Sequence, residues 1–363
     1  MAFRDILRQR LHNQQLADPE FETPGDIVRH LGAVQAQDYF GSLWAIGQRL
    51  ENADEACIEK AVADKSIVRS WPMRGTLHYV PSEDLRWMLQ LLSPKILAKG
   101  AKNYRDAGLD SATFRKSAKI MERVLRDGNR LTRNELYEHF EKAKISTKDI
   151  RGLHMLGHAA LEGLICLGPR KGKQPTFTLV DEWLPSSKSL NRDEAIEKIT
   201  LKYFKGHCPA TVQDFAWWSG LSLTEARKGI DMMRDLLAEE IVDDQSYWCM
   251  RTSTAVNEIP KTVFLLPTYD EYIVGYEDRS ELVHPDYKST SGQKKEIVFS
   301  STVVFKGQVI GIWKRTLKKE NVLVEITPLT KFTKIQQGAV ATVAKKYGKF
   351  LGSKVELKYM KVK

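Results

Sequence analysis

The segment Leu131–Tyr137, Leu-Thr-Arg-Asn-Glu-Leu-Tyr, decides the fold because it marks the start of a helix inside a recognisable module. Thr132 is suited to cap that helix, and Glu135 stands three residues later, where the second partner of a capping box belongs. An apolar-periodic stretch from Phe114 to Leu125 precedes it. The segment therefore predicts two consecutive helices with a short connection between them.

The residues that follow complete a module of three helices and a hairpin. Residues 148–162 carry apolar side chains at helical spacing, and residues 164–167 and 176–180 read as two strands. A basic turn over residues 168–175 joins these strands. Three helices followed by a hairpin with a basic tip are typical of the winged helix, a variant of the helix-turn-helix.

The same order of elements recurs on both sides of this module. The repeated order is clear after residue 188, where Thr211 and Asp214 suit a second capped helix and residues 223–239 predict a third helix. Before residue 111 the pattern of the same elements is weaker. After residue 254 short strands dominate, followed by a helix near 331–351. The sequence predicts an α+β protein of three tandem winged helices and a small C-terminal β-barrel with a closing helix. The expected domains are 1–110, 111–188, 189–254 and 255–363.

The composition favours a polyanionic partner. The formal charge is +10 and is concentrated in two zones: Lys95 to Arg133 has eleven Lys/Arg against four Asp/Glu, and Lys331 to Lys363 has nine lysines against Glu356 alone. Either zone by itself fits a solvated surface equally well. Two such zones in one chain fit nucleic acid better, because each neutralised phosphate adds salt-dependent affinity.

Several function classes lack support in the sequence. The four cysteines are far apart and form no CxxC pair, and no Walker, GxGxxG, GxSxG or HExxH motif is present. His154 and His158 share a helix face with Glu162 one turn further on, but helix packing explains them better than a metal does. No apolar run reaches the roughly 18 residues of a membrane span, so we expect a cytoplasmic protein without metal or cofactor.

Gln35-Ala36-Gln37 follows a helix that ends at Gly32. Side chains two residues apart share a direction only in an extended segment. Such a segment would bury Val34 and Ala36 and direct both amides at one external point. Amide oxygens can hold a water and face a developing positive charge, although a solvated turn is the more usual reading of this spacing.

Two further groups of residues are candidates for DNA contact. Arg74, Thr76 and His78 alternate along one face near a Pro/Gly bend, with Arg69 just before it; ordinary cross-strand pairing is an equally good explanation. The tip of the predicted wing and a polar loop after residue 284 carry the second group, which comprises Arg170, Lys171, Lys173, Lys294 and Lys295.

Four motifs in order make the chain resemble the bacterial winged-helix DNA glycosylases of the AlkZ-like family. They are Val34–Tyr39, Arg74–His78, Pro209–Leu221 and Leu265–Tyr272, with Gln35 and Gln37 matching the Gln-x-Gln branch. The resemblance runs essentially from end to end of the chain.

The resemblance implies a glycosylase that removes N-alkylated purines from duplex DNA, including unhooking of N7-guanine interstrand crosslinks. A lyase step would need an amine nucleophile, and the sequence singles out no lysine for it, so we expect a monofunctional hydrolase. Gln35 and Gln37 would be catalytic, and the protein would be monomeric and act at the nucleoid. The rival is a non-catalytic winged-helix DNA-binding or regulatory protein. The physiological lesion is left open by the sequence, as are the separate roles of the two glutamines.

Overall fold

The structure is a computed structural model that describes residues 3–253, 261–282 and 299–361. The chain divides into two compact units, one of residues 1–58 and 197–363 and one of residues 59–196.

The described residues form a mixed α+β structure. The helices are α1 (Phe3–Asn13), α2 (Pro24–Leu31), α3 (Tyr39–Gly47), α4 (Glu55–Ala63), α5 (Leu85–Asp106), α6 (Ser111–Leu125), α7 (Arg133–Lys142), α8 (Arg151–Leu161), α9 (Val180–Trp183), α10 (Arg192–His207), α11 (Val212–Ser219), α12 (Leu223–Met232), α13 (Glu271–Val274) and α14 (Lys334–Phe350). The strands are β1 (Val34–Gln35), β2 (Ile67–Met73), β3 (Thr76–Pro81), β4 (Leu131–Thr132), β5 (Ile165–Lys171), β6 (Gln174–Leu179), β7 (Leu237–Val242), β8 (Gln245–Met250), β9 (Val263–Leu266), β10 (Thr302–Phe305), β11 (Gln308–Leu317), β12 (Asn321–Pro328) and β13 (Lys354–Tyr359).

The smaller unit contains the Leu131–Tyr137 segment. The capping box is confirmed, since Thr132 Oγ1 accepts from the Glu135 N–H at 3.4 Å and Glu135 Oε2 accepts from the Thr132 N–H at 2.7 Å. Helices α6, α7 and α8 enclose an apolar core that includes Met121, Leu136 and Met155. Strands β3, β2, β5, β6 and β4 are neighbours in that order, and Arg69 opposite Leu167 joins the two hairpins.

In the larger unit the strands after residue 260 form an open sheet in the order β13-β12-β11-β10-β9. The prediction of a closed barrel is therefore wrong for the part of the chain described. All four residues of β9 are buried, so both of its faces are covered. Leu7 and Leu11 of α1 pack with Phe264 of β9, while α14 packs on β9 and β13. Because helices shield this sheet, closure is not needed to bury its core.

Local sequence signals do not give four other features. The predicted third helix over residues 223–239 ends at Met232, because Leu237 already pairs with Met250 in the β7–β8 hairpin. Helices α3 and α5 and strand β13 lie outside the sequence prediction. Strand β13 alternates charged residues with Val355 and Leu357 at an exposed edge, which is a weak strand pattern.

A fully buried ion pair connects distant segments of the larger unit. The Arg49 guanidinium donates to both carboxylate oxygens of Asp270, at 2.8 and 2.7 Å, and neither side chain is exposed. Arg49 also donates to the backbone oxygens of Gln14 and Ala45 at 2.9 and 2.7 Å. The bidentate geometry and the additional acceptors satisfy a charge that would otherwise be costly to bury.

We expect Arg49→Met to lower the free energy of unfolding by about 3–5 kcal/mol, because it leaves the Asp270 carboxylate buried without its cation. Urea titration followed by circular dichroism measures the change. Arg234→Ala is the control, since Arg234 and Asp231 pair at 2.9 Å with side chains 64% and 59% exposed. Its effect should be about 1 kcal/mol or less. Equal losses in the two variants would contradict this account of the Arg49–Asp270 pair.

Candidate active site

Helix α2 directly precedes the Gln-x-Gln segment. Thr23 caps the helix by accepting from the Asp26 N–H, and Pro24 occupies the first turn. The helix ends at Gly32, which has a φ of 78°. A Cβ on Gly32 would approach the Lys202 Cβ to 3.0 Å, so both backbone conformation and space favour glycine there. The chain then turns directly into β1.

The two glutamines lie in different environments. Val34 and Ala36 are buried, as the sequence predicts, and Val34–Gln35 is extended. Gln35 is only 9% exposed, however, whereas Gln37 is exposed and lies in a bend beyond the strand. Gln35 is therefore far less exposed than Gln37, and the prediction that both amides are directed at one external point stays a prediction.

The backbone of Gln35 is held by a buried carboxylate that the sequence analysis did not single out. Glu271 is 1% exposed, and its Oε1 accepts from the Gln35 N–H at 2.8 Å. Its Oε2 accepts from the Trp218 indole N–H at 3.0 Å and lies 3.4 Å from His207 Nε2. One carboxylate thus connects β1, α11, the end of α10 and the start of α13.

A wider set of buried polar contacts supports this carboxylate. Gln14 Nε2 donates to the Glu271 carbonyl at 3.3 Å and to the Tyr276 hydroxyl at 3.0 Å. The Tyr276 hydroxyl in turn donates to the His207 carbonyl at 2.9 Å. The Tyr203 ring stacks on His207 with centroids 4.8 Å apart. These contacts hold the buried residues around Glu271, against which β1 packs, from several directions.

Two of the other sequence motifs meet the Gln-x-Gln motif at the Glu271 carboxylate. Trp218 belongs to the Pro209–Leu221 stretch and Glu271 to the Leu265–Tyr272 stretch. A signal for Glu271 existed in the sequence: Asp270 and Glu271 interrupt an otherwise apolar run from Val263 to Val274. Acidic residues in such a run are buried only when paired.

The predicted face of the β2–β3 hairpin is more buried than expected. Arg74 Nη2 lies 3.3 Å from His78 Nε2, so those two side chains do meet. His78 is fully buried, and its Nδ1 lies 2.9 Å from the Thr76 carbonyl. Arg69 is 8% exposed within the sheet. Thr76 and Arg74 are partly exposed, so they are the members of this group nearest to solvent.

The predicted wing tip is the turn between β5 and β6. Arg170 donates to Glu59 at 3.1 Å, and Lys171 donates to Glu135 at 2.8 Å. The hydrogen bond from Lys171 is the main reason why the pKa of Glu135 falls to about 2. Two of the three wing cations are thus engaged in ion pairs, while Lys173 is exposed at the tip. Lys294 and Lys295 lie outside the described residues.

The histidine pair on α8 packs against aromatic rings. The His158 ring stacks on Phe114 with centroids 3.9 Å apart, and His154 meets the edge of Tyr104 at 5.2 Å. This packing explains their spacing, and burial lowers the pKa of both imidazoles.

Comparisons with known proteins agree on one family. The family model described as DNA glycosylase AlkZ-like matches residues 28–350. A Streptomyces sahachiroi protein named interstrand DNA cross-link repair glycosylase is 28% identical over 331 residues, which are 86% of this chain and 87% of that protein. The solved structure of Streptomyces sahachiroi DNA glycosylase AlkZ matches with a TM-score of 0.77 and 22% identity, over 99% of this chain and all of that one. Among the described helices, none is long and apolar enough to cross a membrane.

A histidine beside the Gln-x-Gln segment gives the larger unit a pH dependence. Burial lowers the pKa of His30 in α2, and the 2.6 Å contact with the Asn13 carbonyl offsets this only in part. The unfolded chain therefore binds this proton more readily, so stability falls as pH drops below about 6.5 towards the folded pKa. We expect wild-type protein to lose more unfolding free energy than His30→Gln between about pH 7.5 and about pH 5.5 in urea titrations.

His139→Gln, a change on helix α7 of the other unit, is the control for this prediction. It should retain the pH dependence of the wild type. Identical pH dependence in all three proteins would show that His30 does not carry the effect.

Proposed function

The chain belongs to the DNA glycosylase AlkZ-like family, and from this premise we propose that it hydrolyses the N-glycosidic bond of N-alkylated, cationic purines in duplex DNA. We include N7-guanine interstrand crosslinks among its substrates, which the name of the Streptomyces sahachiroi relative supports. The observation that carries the proposal is the Gln35-Ala36-Gln37 segment anchored on the buried Glu271 carboxylate.

The proposed chemistry suits amides. An N7-alkylated guanine already carries a positive charge, so it leaves with the bonding electron pair and needs little acid assistance. The sugar then develops oxocarbenium character, and a water must add to its anomeric carbon and release a proton to solvent. Preorganised amide oxygens stabilise that positive charge and orient the water without a side-chain pKa near neutrality.

The different environments of the two glutamines suggest different roles. Gln37 is exposed, so we assign it to orient the attacking water. Gln35 is buried and its backbone is fixed by Glu271, so we assign it to support the sugar or that water. The sequence singles out no lysine as an amine nucleophile, so we propose a monofunctional hydrolase rather than a lyase.

We also propose that residues 1–110, 111–188 and 189–254 are three winged-helix modules and residues 255–363 a C-terminal domain. The order α6, α7, α8, β5, β6 supports this for the second module, and α10, α11, α12, β7, β8 for the third. Both carry capping boxes at the start of the middle helix, at Thr132 and Thr211.

DNA contact is proposed for the polar and charged residues named from the sequence. They are Arg69, Arg74, Thr76, His78, Arg170, Lys171, Lys173, Lys294 and Lys295. The partial exposure of Arg74 and Thr76 and the exposure of Lys173 support a role for these three in binding. A monomer acting at the nucleoid is the simplest working form, because a single chain supplies all of these groups.

Base release from a duplex with a defined 7-methylguanine tests the assignment of the glutamines. Under single-turnover conditions we expect Gln35→Ala and Gln37→Ala each to lower the rate by about 100-fold or more, the size typical for loss of one preorganised polar group. Binding of the same duplex, measured by fluorescence anisotropy, should change little, because the amides act on the transition state.

Gln213→Ala is the matched control, since Gln213 is an exposed glutamine on α11. It should release the base at the wild-type rate. Wild-type rates in Gln35→Ala and Gln37→Ala would remove both residues from the mechanism. Failure of the wild type to release any base from alkylated or crosslinked duplexes would favour the non-catalytic DNA-binding protein.

The wing is tested by the salt dependence of DNA binding. Lys173→Ala should reduce the slope of log affinity against log salt by about 0.9, the value for one phosphate contact on duplex DNA. Lys318→Ala should leave the slope unchanged, because Lys318 is already paired with Glu356 at 2.7 Å. An unchanged slope in Lys173→Ala would show that the wing tip does not touch the backbone of DNA.

A further inference from the structure

Two cysteines that are distant in sequence meet inside the larger unit. Cys208 follows the last residue of α10 and is fully buried, and Cys249 lies in β8 with 8% exposure. Their Sγ atoms are 2.9 Å apart. Paired backbone hydrogen bonds between Ala210 and Trp248, of 3.1 and 2.8 Å, hold the two segments side by side. The contact is therefore fixed by the fold.

The surroundings distinguish the two sulfurs. Cys208 Sγ accepts from Cys249 Sγ and from Asn13 Nδ2, the latter at 3.2 Å, and Ser253 Oγ lies 3.5 Å away. Burial alone would raise the pKa of the Cys208 thiol, but the hydrogen bonds from Cys249 and Ser253 outweigh it, so this pKa is lowered. The same contact with Cys208 and burial raise the pKa of Cys249. Cys208 is thus the nucleophilic sulfur of the pair.

We propose that Cys208 and Cys249 form a redox-active dithiol that a hydroperoxide converts into a disulfide. The Cys208 thiol releases its proton to solvent, and its thiolate attacks one oxygen of hydrogen peroxide, so that the O–O bond breaks and Cys208 becomes a sulfenic acid. The hydroxide that leaves takes the proton of Cys249 and becomes the first water. The Cys249 thiolate then attacks the Cys208 sulfur and displaces hydroxide, which takes up the proton that Cys208 released and becomes the second water. Two thiols are oxidised, one peroxide is reduced, and two waters form. A thiol reductant reverses the reaction.

Formation of this disulfide should change the structure of the candidate active site. A disulfide brings the sulfurs to about 2 Å, so the segment around Cys208 must shift. Cys208 directly follows His207, whose ring lies against the Glu271 carboxylate that holds Gln35. The segment is also held by Asn13 Nδ2 on the Cys208 carbonyl and Arg10 Nε on the Pro209 carbonyl, at 2.7 and 2.9 Å. Oxidation should therefore disturb β1.

The first experiment detects the disulfide itself. The reduced full-length protein is treated with hydrogen peroxide, and free thiols are counted after denaturation, with intact mass and peptide mapping. Of the four cysteines two should disappear, with loss of two hydrogens and a Cys208–Cys249 crosslinked peptide. Cys249→Ser and Cys208→Ser should not form it. Cys166, whose thiol pKa burial raises to about 12, serves as an internal control that stays reduced.

One result would overturn the proposal. If peroxide oxidises Cys57 while Cys208 and Cys249 remain two free thiols, the contact between Cys208 and Cys249 is only a packing contact. Since Cys57 is half-buried in α4, its oxidation shows that the peroxide was effective.

The second experiment tests the link to base release, and this part rests on the proposed function. Base release by the oxidised wild type should fall by about 10-fold or more, since displacement of a catalytic group by about 1 Å costs up to about 100-fold. Dithiothreitol should restore it, and Cys249→Ser should retain its rate under peroxide. A disulfide with an unchanged rate would refute the link. Absence of base release in the reduced wild type would instead refute the proposed function.

Discussion

The buried carboxylate of Glu271 is the interaction on which the larger unit depends. A charge with 1% exposure is tolerated only where donors surround it, and here they come from the backbone of Gln35, the indole of Trp218 and the ring of His207. Gln35 and Glu271 are 236 residues apart in the chain. Loss of the carboxylate would release β1 and leave buried donors without an acceptor. The same group thus serves stability and the geometry of the candidate site.

The carboxylate of Asp270, next to Glu271 in the chain, has a separate structural role. Asp270 faces Arg49 and also accepts from the Tyr272 N–H at 2.9 Å, so it caps the short helix α13. Two consecutive acidic residues therefore have different partners: Asp270 contacts Arg49, and Glu271 contacts the Gln-x-Gln strand. Tyr269 just before them has a φ of 64°, a conformation that non-glycine residues rarely adopt and that surrounding structure must hold in place.

The parts of the fold that sequence predicts are those that short-range physics decides. The capping boxes at Thr132 and Thr211 and the hairpin turns need only neighbouring residues, so the elements of residues 111–188 were predicted closely. The open sheet and the burial of Gln35 depend on packing between segments hundreds of residues apart, which periodicity does not encode. The boundary near Glu239 failed for a different reason, because pairing with the neighbouring strand β8 overrides helix propensity there.

The burial of Gln35 sharpens the argument about mechanism. Gln35 is 9% exposed and its backbone N–H is held by the Glu271 carboxylate, so the strand that carries its amide is in place before substrate arrives. Gln37 lies in a bend and is exposed, so it is accessible from solvent. On the proposed mechanism, the buried residue therefore supports the sugar or the water, and the exposed residue orients the attacking water.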